Sequence, residues 1–478
     1  MSLGLTPFFG RQFFPPADRA QFLVDIELPR NAAPTQLRDT TDHAARIVAE
    51  QDEVENFGVF YGGTAPRFYY NVEPKEPGTF LAQILINTRT QDIVPLLSRL
   101  RARFDGEVAG ARIVAKQLEQ GVPIDNPIQV RISGPDLDVL RQLADRVSTI
   151  IREKGGYKVT DDLGQRLPTL RIAIDQDRAN TLGVDNRAVG AATAAAFFTA
   201  RVTQLREGDH LIPVNLRLRR GELSDADHLR SLYVPSSRNG LVPLTNFATV
   251  DLEPAYASVP HFRQLRTVTV KSFAPVGTLP AAILAKCKPE IGRIALPDGY
   301  SLTYAGEDKE LAESQREMGV VFAISLSAIF LAMVLQFGSV AKSVSVMITV
   351  PLGVIGAFAG IIVFQTNFGF MALLGLVSLA GLVVSHIIVL SDYIEESRAA
   401  GMPLRQALVH AGLVRLRPVI VTVLAAVCGL IPLALHGGEL WRPLTAVHIV
   451  GLTCATLITL VVLPVFYLIF CEKLKWIK

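Results

Sequence analysis

The chain of 478 residues carries 47 Lys and Arg against 44 Asp and Glu, and only 19% of its residues are charged. Globular chains usually contain about 25% charged residues. Residues 318–478 contain nine basic and five acidic side chains, whereas the preceding part contains 38 and 39. This division argues against a wholly soluble protein and a disordered chain. The balanced charge of the first part also argues against a nucleic-acid partner.

Sequence motifs of enzymes and cofactor sites are absent. The cysteines Cys287, Cys428, Cys454 and Cys471 lack metal-ligand spacing, so we expect neither a zinc site nor a disulfide framework. The sequence contains no G-x-S-x-G motif and no phosphate-binding loop. We therefore expect no enzyme, no ATP-driven pump and no bound cofactor.

Strand and helix patterns alternate in the first part of the chain. Residues 22–28 alternate apolar and polar side chains like a half-buried strand, and residues 35–50 have a helical pattern. The order returns at residues 128–132, where a Ser-Gly-Pro turn and a helix with an apolar stripe follow the strand. It returns again over residues 267–304. Such repeats suit compact α+β subdomains of the split βαβ kind.

An insertion interrupts this repeat at about residues 169–250. It contains its own predicted strand at 170–174 and an alanine-rich helix near 186–198. We expect a projecting or docking subdomain there, although the sequence by itself shows no partner for it.

Five apolar stretches of roughly 20 residues follow, each long enough to cross about 30 Å of hydrocarbon. The predicted spans are about 318–337, 343–364, 370–391, 418–436 and 443–470. In the second span, Gly356 and Gly360 form a GxxxG pair, which is typical of close helix packing. Residues 392–417 are predicted to form a short amphipathic helix, either a connector anchored by snorkelling arginines or a regulatory element.

The basic residues between the spans predict the orientation of the chain. Lys342 follows the first span, four arginines separate the third span from the fourth, and three lysines follow the fifth. The opposite loops, 365–369 and 437–442, contain Arg442 as their single base. The positive-inside rule places the first set in the cytoplasm. The large preceding domain then lies in the periplasm of a Gram-negative cell or an equivalent space.

An external domain of this size requires a segment that carries it across the membrane. Residues 1–14 read MSLGLTPFFGRQFF, which is too short and too broken for a signal peptide or a span. We therefore expect a further transmembrane helix upstream, either in the same protein or in a partner chain.

Five motifs carry a family resemblance: FFPPADRAQFLVDIELP, IQVRISGPDLDVLRQLADRV, QFGSVAKSVSVMITVPLGVIGAFAG, GLVVSHIIVLSDYI and RLRPVIVTVLAAVCGLIPL. They occur in the family's order and extend over about residues 13–470. The chain resembles the carboxy-terminal half of a resistance–nodulation–division (RND) efflux permease of the AcrB/AcrD/AcrF-like multidrug branch. Members have twelve spans in two repeated halves, so the chain resembles the second half without its first helix.

The resemblance implies a fold of α+β periplasmic porter subdomains (split βαβ, ferredoxin-like) with a docking insertion, followed by an α-helical bundle of five transmembrane helices. The implied domains are a remnant at 1–19, a first porter subdomain at 20–125, a second at 126–168 with 255–310, a docking subdomain at 169–254, the helices at 318–470 and a cytoplasmic tail at 471–478.

The resemblance also implies a function and partners. It implies proton antiport across the bacterial inner membrane that exports hydrophobic or amphiphilic small molecules through a tripartite pump. The implied partners are the missing amino-terminal half in the same or a separate chain, further copies in a homotrimer, a periplasmic adaptor protein and an outer-membrane channel. The alternative is a non-transporting remnant, or an assembly half-subunit that stabilises a partner chain.

Polar side chains within the spans are candidates for proton transfer, because polar and charged groups are costly in hydrocarbon. Ser378, Ser385 and Asp392 lie seven residues apart on one face of the third span. Thr445 and His448 share a face of the fifth span. Hydroxyl groups in such helices mostly bond back to their own helix, which is the alternative for the serines and threonines.

The resemblance places the proton relay at Ser385 or His386 and at Thr445 or its neighbour Ala446. His448 is a further candidate in the fifth span. Paired aspartates would come from the other half of the protein. This sequence has Ser385-His386 where the family often has an asparagine pair, and it has no lysine in the third span. Histidine titrates near neutrality, which suits proton transfer. A histidine that packs between helices is the alternative.

The loop at residues 62–79 is rich in Gly and Pro and contains Phe68, Tyr69 and Tyr70. By resemblance it matches a mobile loop between substrate pockets. Aromatic side chains offer large contact areas to bulky apolar compounds, so these three residues are candidate substrate contacts. The alternative is that they pack on their own subdomain.

Overall fold

The computed structural model describes residues 10–197, 200–216, 229–238, 240–469 and 471. Except for Cys471, the predicted tail lies outside the described residues, as does the part of the amino-terminal remnant before residue 10. The chain divides into two compact units. One consists of Met1–Asp162 with Pro260–Lys478, and the other of Leu163–Val259.

The first unit begins with a four-stranded antiparallel sheet of order β2-β3-β1-β4. Its strands are β1 (Gln21–Glu27), β2 (Val54–Tyr61), β3 (Leu81–Thr88) and β4 (Arg112–Gln117), and its helices are α1 (Pro34–Ala49) and α2 (Val94–Glu107). Both helices have proline in the first turn. Proline is tolerated there because the backbone N–H groups of the first turn have no partner within the helix. They bury Ile47 and Leu100 against the apolar face of the sheet. The other face carries polar side chains, including the buried Asp25 and Gln83.

A second sheet of order β13-β14-β5-β15, with β6 also paired to β14, completes the α+β part of this unit. Its strands are β5 (Ile128–Ser133), β6 (Tyr157–Asp161), β13 (His261–Phe262), β14 (Leu265–Phe273) and β15 (Ser301–Gly306), and its helices are α3 (Leu137–Glu153) and α6 (Pro280–Ile291). Asp136 caps α3 by accepting hydrogen bonds from the backbone N–H groups of Asp138 and Val139. The predicted apolar stripe of α3 is buried.

The second unit contains paired strands around a small apolar core. Its elements are β7 (Arg166–Ile174), α4 (Gln176–Leu182), α5 (Asn186–Phe197), β8 (Ala200–Glu207), β9 (His210–Leu216), β10 (Tyr233–Ser236), β11 (Gly240–Pro243) and β12 (Ala248–Tyr256). The antiparallel pair β7–β12 includes both predicted ends of the docking segment, residues 169 and 254. In this pair, Pro168 lies opposite Pro254. Buried residues such as Val234 and Phe247 form the core.

In the part of the chain that the structure describes, five helices are long and apolar enough to cross a membrane, as predicted. They are α7 (Glu307–Phe337), α8 (Val340–Met347) with α9 (Val350–Val363), α10 (Phe370–Ala399), α11 (Leu404–His436) and α12 (Gly438–Leu468). The second span is divided because the ring of Pro351 would clash with the carbonyl of Met347, where α8 ends.

One predicted element next to the membrane is wrong. Residues 392–417 do not form a separate amphipathic helix, because α10 continues to Ala399 and α11 begins at Leu404. The break falls at Gly401, whose φ of 88° is incompatible with a right-handed helix. The helix that contains the first predicted span begins earlier than that span, at Glu307. Apolarity marks only the stretch within hydrocarbon, whereas a helix continues as long as its backbone hydrogen bonds do.

Glycines bring α9 and α12 into close contact, which confirms the packing predicted from the GxxxG pair. A Cβ atom on Gly356 would lie 3.0 Å from the carbonyl oxygen of Gly451 and 2.8 Å from Cys454 Cβ. A Cβ atom on Gly360 would overlap the carbonyl oxygen of Ala446. Small residues allow the two helices to approach this closely. The resulting van der Waals packing stabilises helix association in lipid.

We expect Gly360→Ala to destabilise the helix bundle by about 1–3 kcal/mol, because the added methyl group meets backbone atoms that cannot rotate away. The matched control is Gly381→Ala in α10, where nothing lies within 4 Å of the added carbon. Thermal unfolding in detergent micelles should show a lower transition temperature for the first variant alone. Equal transition temperatures would contradict the contact.

Candidate functional site

The structure joins α10 and α12 through His448 and Ser378. The imidazole of His448 is buried. Its Nδ1 donates to the carbonyl oxygen of Leu444 at 2.9 Å, and its Nε2 lies 3.1 Å from the hydroxyl oxygen of Ser378. A carbonyl only accepts, so Nδ1 carries a hydrogen; when the ring is neutral, the Ser378 hydroxyl is the donor to Nε2. Both nitrogens of His448 are therefore engaged.

Thr445 is fully buried one turn before His448. Its hydroxyl donates to the carbonyl oxygens of Trp441 and Arg442, at 3.1 and 3.0 Å. Thr456 bonds back to its own helix in the same way. This geometry satisfies the hydroxyl within α12 and leaves its oxygen able to accept one further hydrogen bond.

His386 differs from His448 in its hydrogen bonding. Its Nδ1 is shielded from solvent and has no hydrogen-bond partner among the described residues. Ser385 is exposed on the outside of the five-helix bundle, as is Ser378. Eight residues of helix place His386 about 12 Å along α10 from Ser378. The structure thus brings Ser378 to His448 and leaves His386 apart from that pair.

The carboxylate of Asp392 lies two turns further along α10 and is half-buried. Among the described residues, we find no hydrogen bond or ion pair that engages it. The neighbouring Glu395 instead accepts from Lys342 Nζ at 2.6 Å and from the Tyr467 hydroxyl, and lies 3.5 Å from Arg398. This cluster joins α8, α10 and α12. Sequence reasoning missed it because only Glu395 and Arg398 are close along the chain.

The three loop aromatics have different environments. Phe68 and Tyr69 are half-buried against a small cluster around Leu23 and Leu118. Tyr70 is 54% exposed, and its hydroxyl accepts a hydrogen bond from the backbone N–H of Gly121 at 3.0 Å. Burial, together with the hydrogen bond to Tyr70, raises the pKa of Tyr69 to about 12. Two of the three candidates therefore pack on their own subdomain, and one faces outward.

A cavity of about 280 Å³ lies beside the two sheets and the start of α7. Its wall combines aromatic rings with charged groups: Phe13, Phe14, Arg101, Lys116, Glu119, Phe273 and Glu307 are among the lining residues. Burial raises the pKa of Glu119 to about 7; Lys116 opposes this change, and Glu307 and Asp125 add to it. No sequence signal marks Glu119, because its environment comes from segments distant in the chain.

The segment that precedes β1 lines this cavity and also contacts the membrane helices. The backbone N–H of Phe13 donates to Glu307 Oε1 at 2.6 Å. Asn367 Nδ2 donates to Gln12 Oε1 at 2.9 Å, and the Phe14 and Phe370 rings lie 5.2 Å apart. The cavity is therefore connected to α7 and to the loop between α9 and α10.

Comparison with known proteins identifies the family. The family model described as "AcrB/AcrD/AcrF family" matches residues 1–471. The chain belongs to this family. Among its curated relatives, multidrug resistance protein MdtC of Erwinia amylovora is 25% identical over 489 residues, which is 99% of this chain and 47% of MdtC. Cobalt-zinc-cadmium resistance protein CzcA of Cupriavidus metallidurans is 27% identical over 369 residues, or 73% of this chain and 34% of CzcA.

Solved structures show the same fold. A crystal structure of a heavy metal efflux pump superposes with a TM-score of 0.75 at 21% sequence identity, covering 98% of this chain and 49% of that one. The chain thus spans about half the length of the relatives that it matches. It is a multi-pass membrane protein of the AcrB/AcrD/AcrF family. In the described ranges, no group of three or more His, Cys, Asp or Glu side chains is placed to hold a metal ion.

We expect His448 and Ser378 to be energetically coupled across α10 and α12. Ser378→Ala removes the donor to Nε2, and His448→Asn removes the ring. A double-mutant cycle on thermal unfolding in detergent should give a coupling of about 0.5–1.5 kcal/mol, the usual contribution of one hydrogen bond. Additive effects of the two substitutions would mean that the bond contributes no stability.

We expect Glu119 to make the stability of this family member depend on pH. Its pKa of about 7 exceeds the usual 4.5, so between these values the folded chain holds a proton that the unfolded chain has released. Stability should therefore fall as the pH rises from about 4.5 to 7, by up to about 3 kcal/mol, and level off above. Glu119→Gln should remove this slope in melting curves, whereas Glu55→Gln at an exposed site should not.

Proposed function

We propose that this chain supplies the carboxy-terminal half of a proton-driven RND efflux permease, which exports hydrophobic or amphiphilic small molecules. The observation that carries this proposal is the polar face of α10 within an otherwise apolar bundle. Ser378 and Ser385 lie on the outside of the five helices, and Nδ1 of His386, in mid-span, has no hydrogen-bond partner among the described residues. A polar face in hydrocarbon is costly unless another protein surface covers it. Membership of the AcrB/AcrD/AcrF family supports the same function.

In this proposal, the other half of the transporter covers α10 and brings acidic groups to His386. A neutral imidazole accepts a hydrogen bond from a protonated carboxylic acid, and an imidazolium stabilises the ionised carboxylate. The two states differ in charge and in hydrogen bonding, so proton occupancy biases the position of α10. Ser385 and Asp392 are the further relay residues on α10. Thr445 and His448 have supporting roles, because their polar atoms are already bonded within the bundle.

Substrate passes through the α+β part in this proposal. The two sheets act as porter subdomains of the split βαβ, ferredoxin-like kind, and the second unit acts as the docking subdomain. The cavity beside Phe13, Phe14 and Glu119 offers apolar walls and a titratable acid, which suits amphiphilic molecules. Tyr70 is the outward-facing aromatic contact.

The proposed setting is the bacterial inner membrane, with the sheets in the periplasm. Loop charges support this orientation, since Lys342 and the arginines near α11 lie on the side opposite the sheets. The working assembly would be a homotrimer in which each subunit includes the amino-terminal half. It would operate with a periplasmic adaptor protein and an outer-membrane channel. The β8–β9 hairpin exposes apolar side chains of β9, including Leu211, Val214 and Leu216, and offers a surface for such contacts.

The test is dye export by the complete transporter in cells that lack other RND pumps. We expect His386→Ala to abolish export at normal protein level. Without the imidazole, no side chain at this position can hydrogen-bond the protonated partner acid or stabilise its ionised form. His386→Asn should retain part of the activity through hydrogen bonding alone. His448→Ala, the matched control at a histidine with both nitrogens bonded, should have the smaller effect.

Two outcomes would contradict the proposal. Full export by His386→Ala between pH 6 and 8 would remove this histidine from the relay. Absence of proton-dependent export by the complete, correctly inserted transporter would favour the alternative, an assembly half-subunit that stabilises a partner chain.

A further inference from the structure

A group of paired charges around the buried Asp25 fastens the aromatic loop at residues 62–79 to the first sheet. Lys75, in this loop, places its Nζ 2.9 Å from Glu27 Oε1 and 3.4 Å from Asp25 Oδ2, both on β1. It also lies 3.7 Å from Asp125 Oδ1, beyond β4. The ammonium group therefore holds three carboxylates from two segments, and only Lys75 among these four residues belongs to the loop.

The remaining charges of the group are paired on the sheet itself. Lys116 Nζ lies 2.7 Å from Asp25 Oδ2, and Arg112 Nη1 lies 2.6 Å from Glu27 Oε2. With Lys75, three cations balance three carboxylates. Loss of Lys75 would remove the ion-pair partner of Asp125, which is exposed, whereas Asp25 and Glu27 would keep their partners on β4.

The loop has a second attachment beside the charges. The backbone N–H of Ala65 donates to Gln83 Oε1 at 2.9 Å, and Gln83 Nε2 donates to Asp25 Oδ1 at 2.6 Å. The amide of Gln83 thus links the loop to the same carboxylate that Lys75 approaches. Both attachments end on the polar face of β1 and β3.

The charge group stays ionised at neutral pH. Burial would raise the pKa of Asp25, but Lys116 and Lys75 outweigh it and hold that pKa well below its usual range. Burial is likewise outweighed at Glu27, whose pKa Lys75 and Arg112 lower. Carboxylates with lowered pKa values contribute stability above their usual pKa and lose it only as the pH falls through the folded value. Mild acidification therefore does not detach Lys75.

The loop at residues 62–79 also contains a buried side-chain amide without hydrogen bonds in the described ranges, that of Asn71. Both polar atoms of the Asn71 side-chain amide are shielded from solvent, and neither has a partner among the described residues. A buried amide without hydrogen bonds disfavours the conformation that buries it, because water would satisfy it in an open loop. Lys75 and the packing of Phe68 and Tyr69 hold the loop against this tendency.

We propose that Lys75 is a positioning residue that latches this loop on the first sheet and thereby selects the aromatic side chain available to substrate. With Lys75 on the carboxylates, Phe68 and Tyr69 are packed inside and Tyr70 faces outward. When Lys75 leaves them, the loop lifts as a lid, Phe68 and Tyr69 become accessible, and the Asn71 amide reaches water. The consequence for substrate rests on the proposed function, whereas the latch is a property of this chain alone.

The test measures the accessibility of Phe68 without any transport assay. Phe68→Cys is labelled with a water-soluble maleimide in the full chain in detergent micelles, and the labelled peptides are quantified by mass spectrometry. The key background is Lys75→Met with Asp125→Asn. This pair removes one cation and one carboxylate, so the charges on the sheet stay balanced and the fold is not strained by an unpaired group. Native Cys287, which is fully buried, reports any general unfolding in the same sample.

We expect the thiol at position 68 to react about tenfold faster or more in this background, since opening of the loop sets its exposure. Asp125→Asn alone should leave the rate unchanged, and Lys75→Arg, which keeps the charge, should stay slow. Lys286→Met, at an exposed lysine of α6, is the control for loss of a surface charge. A thiol placed at Tyr70, already exposed, should react rapidly in every background.

Two results would overturn the latch. Equal labelling rates at position 68 with and without Lys75 would show that packing alone holds the loop. A parallel rise at Cys287 would show that Lys75 holds the whole fold and not the loop. Because labelling needs no proton gradient or partner half, failure of the latch is distinguishable from failure of the proposed transport function.

Discussion

The close approach of α9 and α12 is the constraint on which the membrane part depends. Backbone polar groups in hydrocarbon have to be satisfied within each helix, so helices associate through side-chain packing and small residues. Gly356 and Gly360 allow α9 to contact the backbone of α12 at Gly451 and Ala446. Gly451 also receives Leu379 of α10. These contacts hold α12 against both α9 and α10.

The position of α12 determines what its polar residues can do. His448 is one turn from Gly451, and this approach brings its ring to Ser378 of α10. A histidine with both nitrogens bonded joins two helices through its ring. In the described part of the chain, Nδ1 of His386 has no such partner. Two histidines that look equivalent in sequence therefore differ in their hydrogen bonding, and both stay candidates for proton transfer.

Pairing of charged side chains likewise organises the polar face of the first sheet. Three cations and three carboxylates compensate one another there, and the loop that contributes Lys75 also contributes the aromatic candidates. The side chains of Phe68 and Tyr69 turn inward because the loop is fastened on both sides of them, at Ala65 and at Lys75. The chemistry that the loop presents outward is thus a consequence of charge pairing beneath it.

The sequence by itself determined the elements whose signals are local. Alternation over residues 22–28, the stripe of α3 and the five apolar stretches each reflect periodicity or length within one segment, and the structure contains all of them. The GxxxG pair also predicted a close helix contact, because two small residues four positions apart leave one face of a span open to a neighbouring helix. Helix ends were predicted less well, because α10 and α11 extend beyond hydrocarbon to the turn at Gly401.

Only the tertiary structure decided the environments of the candidate residues. The bond between Ser378 and His448 joins residues 70 apart, and Lys75 meets Asp25 across 50 residues. Glu119 acquires its raised pKa from segments that fold around it. Hydrogen bonds, ion pairs and desolvation depend on distances of a few ångströms between distant parts of the chain. Composition and periodicity carry no record of those distances, so they could name His386, His448, Phe68 and Tyr70 as candidates but not rank them.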